Sequence, residues 1–256
     1  MKVLLTTTAL ALIASSAMAA DLGAPVYTKA PLVPVQYTWT GFYVGVNAGG
    51  GWGSTQSSAD SIGINGGMAD LGGFALANNN LSGILAGGQL GANYEFAPIP
   101  LVVGLEADGD WSGVRGSGPC AVGGLPCTET DKLGWTADVT GRIGYAFQRF
   151  LPYIKGGAAW GDWSHDFRAP IGNGRGNDAL VASTSDTRFG WLIGGGLEYA
   201  LTDHVTAKIE YNFVDFGTAT ETAAITGPGV GQASVVATGG FKDTVSVFKG
   251  GLNYKF

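Results

Sequence analysis

The chain has little of what marks a helical membrane protein, a nucleic-acid-binding protein or a metalloprotein. Beyond residue 20 no stretch offers the roughly 18 uninterrupted apolar residues that a transmembrane helix needs. Charged residues are scarce, at 13% of 256, and the formal net charge is −6. This negative balance argues against nucleic acid as a partner. Two cysteines and two histidines provide no recurring metal-ligand spacing, and we expect no cofactor.

The first twenty residues have the layout of a secretory signal peptide. In "MKVLLTTTALALIASSAMAA", a positive Lys2 precedes an apolar stretch from about 3 to 14, and small residues flank Met18. We therefore expect 1–19 to be cleaved. Residues 20–40 carry three prolines without a period and are predicted to form an extended periplasmic arm.

The two cysteines lie close together in "CAVGGLPC". In an exported chain such a pair favours a disulfide, here between Cys120 and Cys127, which would close a small loop.

Eight segments alternate apolar and polar residues with the period of a β-strand. Glycine is unusually frequent, at 44 residues, and 12 Phe, 9 Tyr and 7 Trp accompany it. The segments are 41–53, 81–96, 101–113, 132–147, 151–165, 186–200, 204–216 and 248–256.

The links between these segments are long and short in alternation. The long ones are 54–80, 114–131, 166–185 and 217–240, and the short ones are 97–100, 148–150 and 201–203. An even strand number with this sorting is typical of outer-membrane barrels. We predict an all-β, eight-stranded antiparallel transmembrane β-barrel over 41–256, in the cell outer membrane. Its long loops would be extracellular, with both mature termini periplasmic.

One face of the segments is apolar with aromatics near the segment ends, as on a lipid-facing wall. The other face carries glycines and charges of both signs, which could pair across a narrow lumen. The predicted lumen charge network is Glu95, Glu106, Asp108, Asp110, Asp138, Arg142, Lys155, Glu198, Lys208, Glu210 and Lys249. Three of its acids, in "EADGD", could instead bind a hard cation, but ion pairing inside the barrel is the favoured interpretation.

Several segments resemble one family. "WTGFYVGVNAGGGWG", "PYIKGGAAWG", "GGGLEYAL", "KIEYNFVDFG" and the terminal "GGLNYKF" are similar to small alphaproteobacterial outer-membrane barrels, often labelled porin-family or outer-membrane β-barrel proteins. The resemblance implies that Tyr254 and Phe256 belong to the signal read by the outer-membrane assembly machinery. It also implies contact with outer-membrane lipid and lipopolysaccharide, and a role as a surface antigen linked to envelope integrity. Some members are porin-like and some bind haemin.

Two functions of different class remain open. A barrel of eight strands is about filled by its side chains, which favours a structural and surface protein that works through its loops. A small porin passing ions or small solutes is the alternative, because lumen-face glycines could leave space between the charges. Those glycines are Gly45, Gly49, Gly87, Gly91, Gly104, Gly144, Gly194, Gly196 and Gly251.

The two histidines, His165 and His204, are predicted at opposite mouths of the barrel and cannot share a site. Ser164 and His165 could suggest acyl-transfer chemistry, but adjacent strand residues point to opposite faces, and we expect no enzyme. Haemin capture by His165, with Trp163 and Phe167 nearby, is a lesser hypothesis.

Overall fold

The computed structural model describes residues 37–122, 125–170, 179–227 and 235–256. They form eight strands: β1 Gly41–Ile64, β2 Gly67–Phe96, β3 Leu101–Val122, β4 Leu125–Tyr145, β5 Phe150–Pro170, β6 Ala179–Ala200, β7 Val205–Ala224 and β8 Val235–Lys255. Within the described part of the chain, no helix is long and apolar enough to cross a membrane. The predicted signal peptide, and the predicted arm up to residue 36, lie outside the described residues.

The strands close into one antiparallel barrel. Each strand pairs with the next in sequence, and β8 pairs with β1 from Tyr43↔Lys255 to Ile64↔Val235. Closure leaves no unpaired edge, as a barrel in lipid requires. The predicted eight-stranded antiparallel barrel is confirmed.

The long links, expected as loops, consist largely of strand. β1 and β2 continue through most of 54–80 to a turn at Asn65 and Gly66, whose φ angles of 48° and 86° fit a tight hairpin turn. Backbone pairing continues there, but the apolar alternation stops, because beyond the lipid both strand faces can meet water. We call this end of the barrel the hairpin end. The short turns 97–100, 146–149 and 201–204 form the opposite, short-turn end.

The apolar face of the barrel points outward. Phe42 is 73% exposed, whereas its neighbour Tyr43 is 4% exposed. Exposed aromatics gather in two girdles. The hairpin-end girdle contains Trp52, Trp111, Trp135, Trp191 and Tyr211, and the short-turn girdle contains Phe42, Tyr94, Phe96, Tyr145, Phe147, Tyr199, Tyr254 and Phe256. An apolar outer wall between aromatic girdles is the arrangement of a membrane barrel.

Two bulges invert the alternation near the hairpin end. In β4 the register with β5 shifts between Leu133 and Thr136, so that Leu133 is buried inside although Trp135, two residues on, faces outward. In β7 the shift lies between Asp215 and Thr218, around Gly217 at φ 68°. A positive φ favours glycine at such a bulge. Residues beyond the bulges therefore face the side opposite to that predicted by simple alternation.

Candidate functional site

The barrel interior is arranged in layers, beginning with an aromatic cap at the short-turn end. Trp39 is buried there, and its indole N–H donates to the Gln148 carbonyl at 3.0 Å. Tyr37 packs edge-on against Trp39, with ring centroids 5.0 Å apart. The last residues of the predicted arm, 37–40, thus pack against the barrel.

Above the cap lies the charged network, centred on Glu106. The Glu106 carboxylate accepts hydrogen bonds from Lys155 Nζ at 3.1 Å and from Lys208 Nζ at 3.0 Å. Lys155 also donates to Glu210 at 2.8 Å. These four side chains are fully buried, and each charge has at least one partner of opposite sign, as burial of ions requires.

The remaining members extend the network toward both ends. Lys249 bridges Asp108 and Asp110 at 2.8 and 3.1 Å, so all three acids of "EADGD", with Glu106, are ion-paired. Arg142 pairs with Glu198 at 3.0 Å. Asp138 lies 3.8 Å from Lys155.

Glu95 departs from the predicted network. Its carboxylate accepts a hydrogen bond from the Trp39 backbone N–H at 2.8 Å, at the short-turn end. The reason is its position at the end of β2, beside the cap, where a backbone donor is closer than the lumen cations.

The lumen glycines do not leave open space. A Cβ atom built on Gly91 would overlap the Tyr43 hydroxyl, one on Gly45 the Asn253 side chain, and one on Gly194 the Asn212 side chain. The absent side chains make room for long side chains from other strands. The expectation of unfilled space, on which the porin alternative rested, is wrong at these glycines.

An apolar layer crosses the lumen on the hairpin side of the network, and sequence reasoning missed it. Its buried side chains are Leu81, Leu85, Val114, Leu133, Ala159, Trp163, Leu192, Val214, Phe216, Val245 and Val247. Trp163 and Phe216 meet edge to face, with centroids 5.6 Å apart. Between this layer and the charged network about 20 Å³ is open, room for about one water molecule.

A second polar cluster lies beyond the apolar layer, and we call it the upper cluster. It contains the acids Glu129, Asp131, Glu221 and Asp243 together with His165 and Arg188. Asp131 lies four residues past the girdle residue Trp135 on β4 and directly opposite His165 on β5, so the cluster lies beyond the hairpin-end girdle.

Buried acids crowd one another in the upper cluster. Burial, and then the neighbouring Asp131 carboxylate, raise the pKa of Glu129 from 4.5 to about 8. Burial also raises the pKa of Asp243, opposed by the Arg188 guanidinium. Arg188 contacts both Asp243 and Glu221.

His165 is enclosed within this cluster. Its Nδ1 lies 2.7 Å from Asp131 Oδ1, and its Nε2 lies 3.3 Å from Arg188. Phe241 stacks on the ring at 4.1 Å. Both ring nitrogens have partners, so haem ligation would require this arrangement to break. Ser164, the other half of the acyl-transfer pair, belongs to the alternate strand face.

A pocket of about 290 Å³ opens above the upper cluster at the hairpin end. Its lining is mainly apolar and includes Phe167 and Phe241, with Glu221 at its polar side. Cys127 also lines it. Cys127 is joined to Cys120, and the two lie directly opposite each other on β4 and β3. The predicted disulfide is therefore present, and it closes the tip of the β3–β4 hairpin by linking two paired strand residues.

Comparison with known proteins agrees with this geometry. Residues 7–256 match the family described as "Outer membrane protein beta-barrel domain". The chain belongs to the outer-membrane β-barrel family. A "31 kDa outer-membrane immunogenic protein" of Brucella melitensis is 33% identical over 227 residues, which cover 85% of this chain and 88% of that protein. A "22 kDa outer membrane protein" of Rhizobium leguminosarum is 30% identical, over 73% of this chain and 69% of its own length.

Among solved structures, the outer membrane protein OprG from Pseudomonas aeruginosa is similar at a TM-score of 0.46 and 17% identity. The match covers 85% of this chain and 96% of OprG.

Membership of the family places the chain in the outer membrane. The resemblance to small alphaproteobacterial barrels is confirmed.

Tyr254 and Phe256, which the resemblance assigns to the assembly signal, lie on the outer wall. Tyr254 and Phe256 are exposed at the short-turn end, with ring centroids 5.2 Å apart. The Phe256 backbone N–H donates to the Phe42 carbonyl at 3.0 Å, so the chain terminus pairs with β1. His204 lies at the same end, with Nδ1 3.0 Å from the Lys255 carbonyl oxygen, far from His165.

Proposed function

We propose that this barrel is a sealed structural and surface protein of the outer membrane, which makes external contacts through its hairpin end. The observation that carries the proposal is the filled lumen, in which cap, charged network and apolar layer follow one another along the axis. A hydrated ion would have to shed water to pass the apolar layer, and desolvating an ion costs several kcal/mol or more.

The same layout supports one orientation in the membrane. The short-turn end, with Phe256, would face the periplasm, where outer-membrane barrels keep their short turns. The hairpin end would face outward and contact lipopolysaccharide at its rim. Exposed Tyr254 and Phe256 would be accessible to the assembly machinery. The name "immunogenic" of the Brucella relative supports surface exposure of the hairpins.

Single-channel conductance of the refolded barrel in a planar lipid bilayer tests the seal. We expect no reproducible current steps from barrels shown to be folded by their shifted gel mobility when unboiled. Combined substitution of Trp163→Ala and Phe216→Ala should introduce conductance, because it removes the largest side chains of the apolar layer.

A matched control substitutes the same residue types on the same strands but on the outer wall, Trp160→Ala with Phe213→Ala. These side chains contact the outward-facing Phe189 and Trp191, so the control should stay silent. Reproducible steps from the unsubstituted protein would refute the sealed lumen and favour the small porin. The charged network would then set its ion selectivity.

A further inference from the structure

Glu129, Asp131 and His165 of the upper cluster lie close together, and sealing of the lumen does not require this arrangement. Glu129 and Asp131 are two residues apart on β4 and so share a strand face, and Asp131 lies directly opposite His165 on β5. All three are fully buried. One carboxylate oxygen from each acid and one ring nitrogen of His165 lie within 4.8 Å of one another.

The remaining oxygens of the two acids are already held. Ser57 donates to Glu129 Oε2 at 2.7 Å, and Asn79 donates to Asp131 Oδ2 at 2.8 Å. Glu129 Oε1, by contrast, has no hydrogen-bond partner among the described residues, although the side chain is completely buried. A buried polar atom without a partner is rare in folded proteins and is a reason to look for an ion.

The charge balance points the same way. In the described part of the upper cluster, four acids surround one guanidinium, that of Arg188, which contacts Asp243 and Glu221. Glu129 and Asp131 are therefore left with His165 as their nearby cationic partner, and only when its ring is protonated. A divalent cation held between these two carboxyl groups and the imidazole would give Glu129 Oε1 a partner and oppose the acidic charge of the cluster.

We propose that Glu129, Asp131 and His165 bind one divalent transition-metal ion of the Zn²⁺ type. One imidazole nitrogen and two carboxylate oxygens make a three-ligand set that Zn²⁺ accepts, with its fourth position open. His165 Nδ1 and Asp131 Oδ1, which lie 2.7 Å apart, would be two of the three ligand atoms.

The pocket at the hairpin end comes within one side chain of this site. The 290 Å³ pocket reaches Glu221 and Phe241, which contact Arg188 and His165 respectively. The apolar layer containing Trp163 lies on the opposite side of the site. The ion would therefore enter from the hairpin end and stay there, and its binding does not depend on whether the lumen conducts.

The test is calorimetric titration of Zn²⁺ into the refolded full barrel, produced without a polyhistidine tag. We expect one Zn²⁺ per chain, with Ca²⁺ binding at least 10-fold more weakly because calcium prefers all-oxygen ligands. Glu129→Gln and His165→Gln should each weaken Zn²⁺ binding at least 10-fold. His204→Gln removes the only other histidine and should leave binding unchanged.

Each variant is first shown to be folded by its gel mobility without boiling. If a variant does not fold, X-ray absorption on the Zn²⁺-loaded unsubstituted barrel decides, because one imidazole and oxygen-only remaining ligands are expected in the first shell. Absence of stoichiometric Zn²⁺ binding would overturn the proposal. Equal affinity for Ca²⁺, or equal loss of binding in His204→Gln, would overturn it as well.

Discussion

Removal of the Lys155 ammonium is the sharpest test of the charged network. Lys155 lies between Glu106 and Glu210, at 3.1 and 2.8 Å, with all three side chains fully buried. Lys155→Met keeps the length of the side chain and removes its charge. The two carboxylates remain buried, and each loses one of its cationic partners.

The expected cost can be estimated from the partners that remain. Removing one member of a buried ion pair typically destabilises a protein by about 3–5 kcal/mol. Lys208 still contacts Glu106 at 3.0 Å and Glu210 at 3.5 Å, so we expect the lower end, about 3 kcal/mol. Adding Glu210→Gln to Lys155→Met should restore part of the loss, because it removes a charge left without its main partner.

Equilibrium urea unfolding in lipid vesicles, followed by tryptophan fluorescence, measures this free energy. The control is Lys132→Met, which removes a lysine paired with Asp166 at 3.2 Å on the barrel surface, with both side chains about half exposed. Such a surface pair stabilises by at most about 1 kcal/mol. If Lys155→Met costs no more than Lys132→Met, the buried network does not hold the barrel together as argued.

Three further predictions address packing, the disulfide and the chain terminus. Gly91→Val should destabilise the barrel in the same unfolding assay because its side chain would overlap Tyr43, whereas Gly109→Val, with no neighbouring atom within 4 Å, should be tolerated. Cys120→Ala should weaken the β3–β4 hairpin by up to about 2.5 kcal/mol, the loop-entropy value for so short a loop, and speed its proteolysis while the folded gel mobility persists. Deletion of Phe256 should lower the amount of folded barrel in the outer membrane but not refolding in detergent, and equal loss in both would contradict an assembly role.

The membrane-spanning part of the fold was predictable because every second residue of a strand faces the lipid and has to be apolar or small. From Phe42 to Trp52 the outward positions must be apolar or small, and the alternation in the sequence records this directly. The same parity along β5 carries from Lys155 to Trp163 and His165, all buried inside. Their inward direction could therefore have been predicted from the sequence.

The hairpin end was not predictable by this rule, for two physical reasons. Outside the lipid, a strand face can be polar on both sides, so 54–80 shows no alternation although its backbone pairs as strand. A bulge moves every later residue to the other face. The β4 bulge thus reverses Leu133. Gly134 lies within that bulge, but glycine is so frequent in these strands that its presence does not mark the shift.

An ion has to pass the layers of the lumen one after another. A substitution in one layer can therefore lower the stability of the barrel without opening the lumen to ions. Lys155→Met weakens the charged network but leaves Trp163 and Phe216 across the lumen. An ion that enters from the hairpin end still meets the apolar layer before it reaches the altered network. We therefore expect Lys155→Met to unfold at lower urea and yet to remain silent in a planar bilayer. Current steps from this variant would show that the charged network, and not the apolar layer, is the barrier to ions.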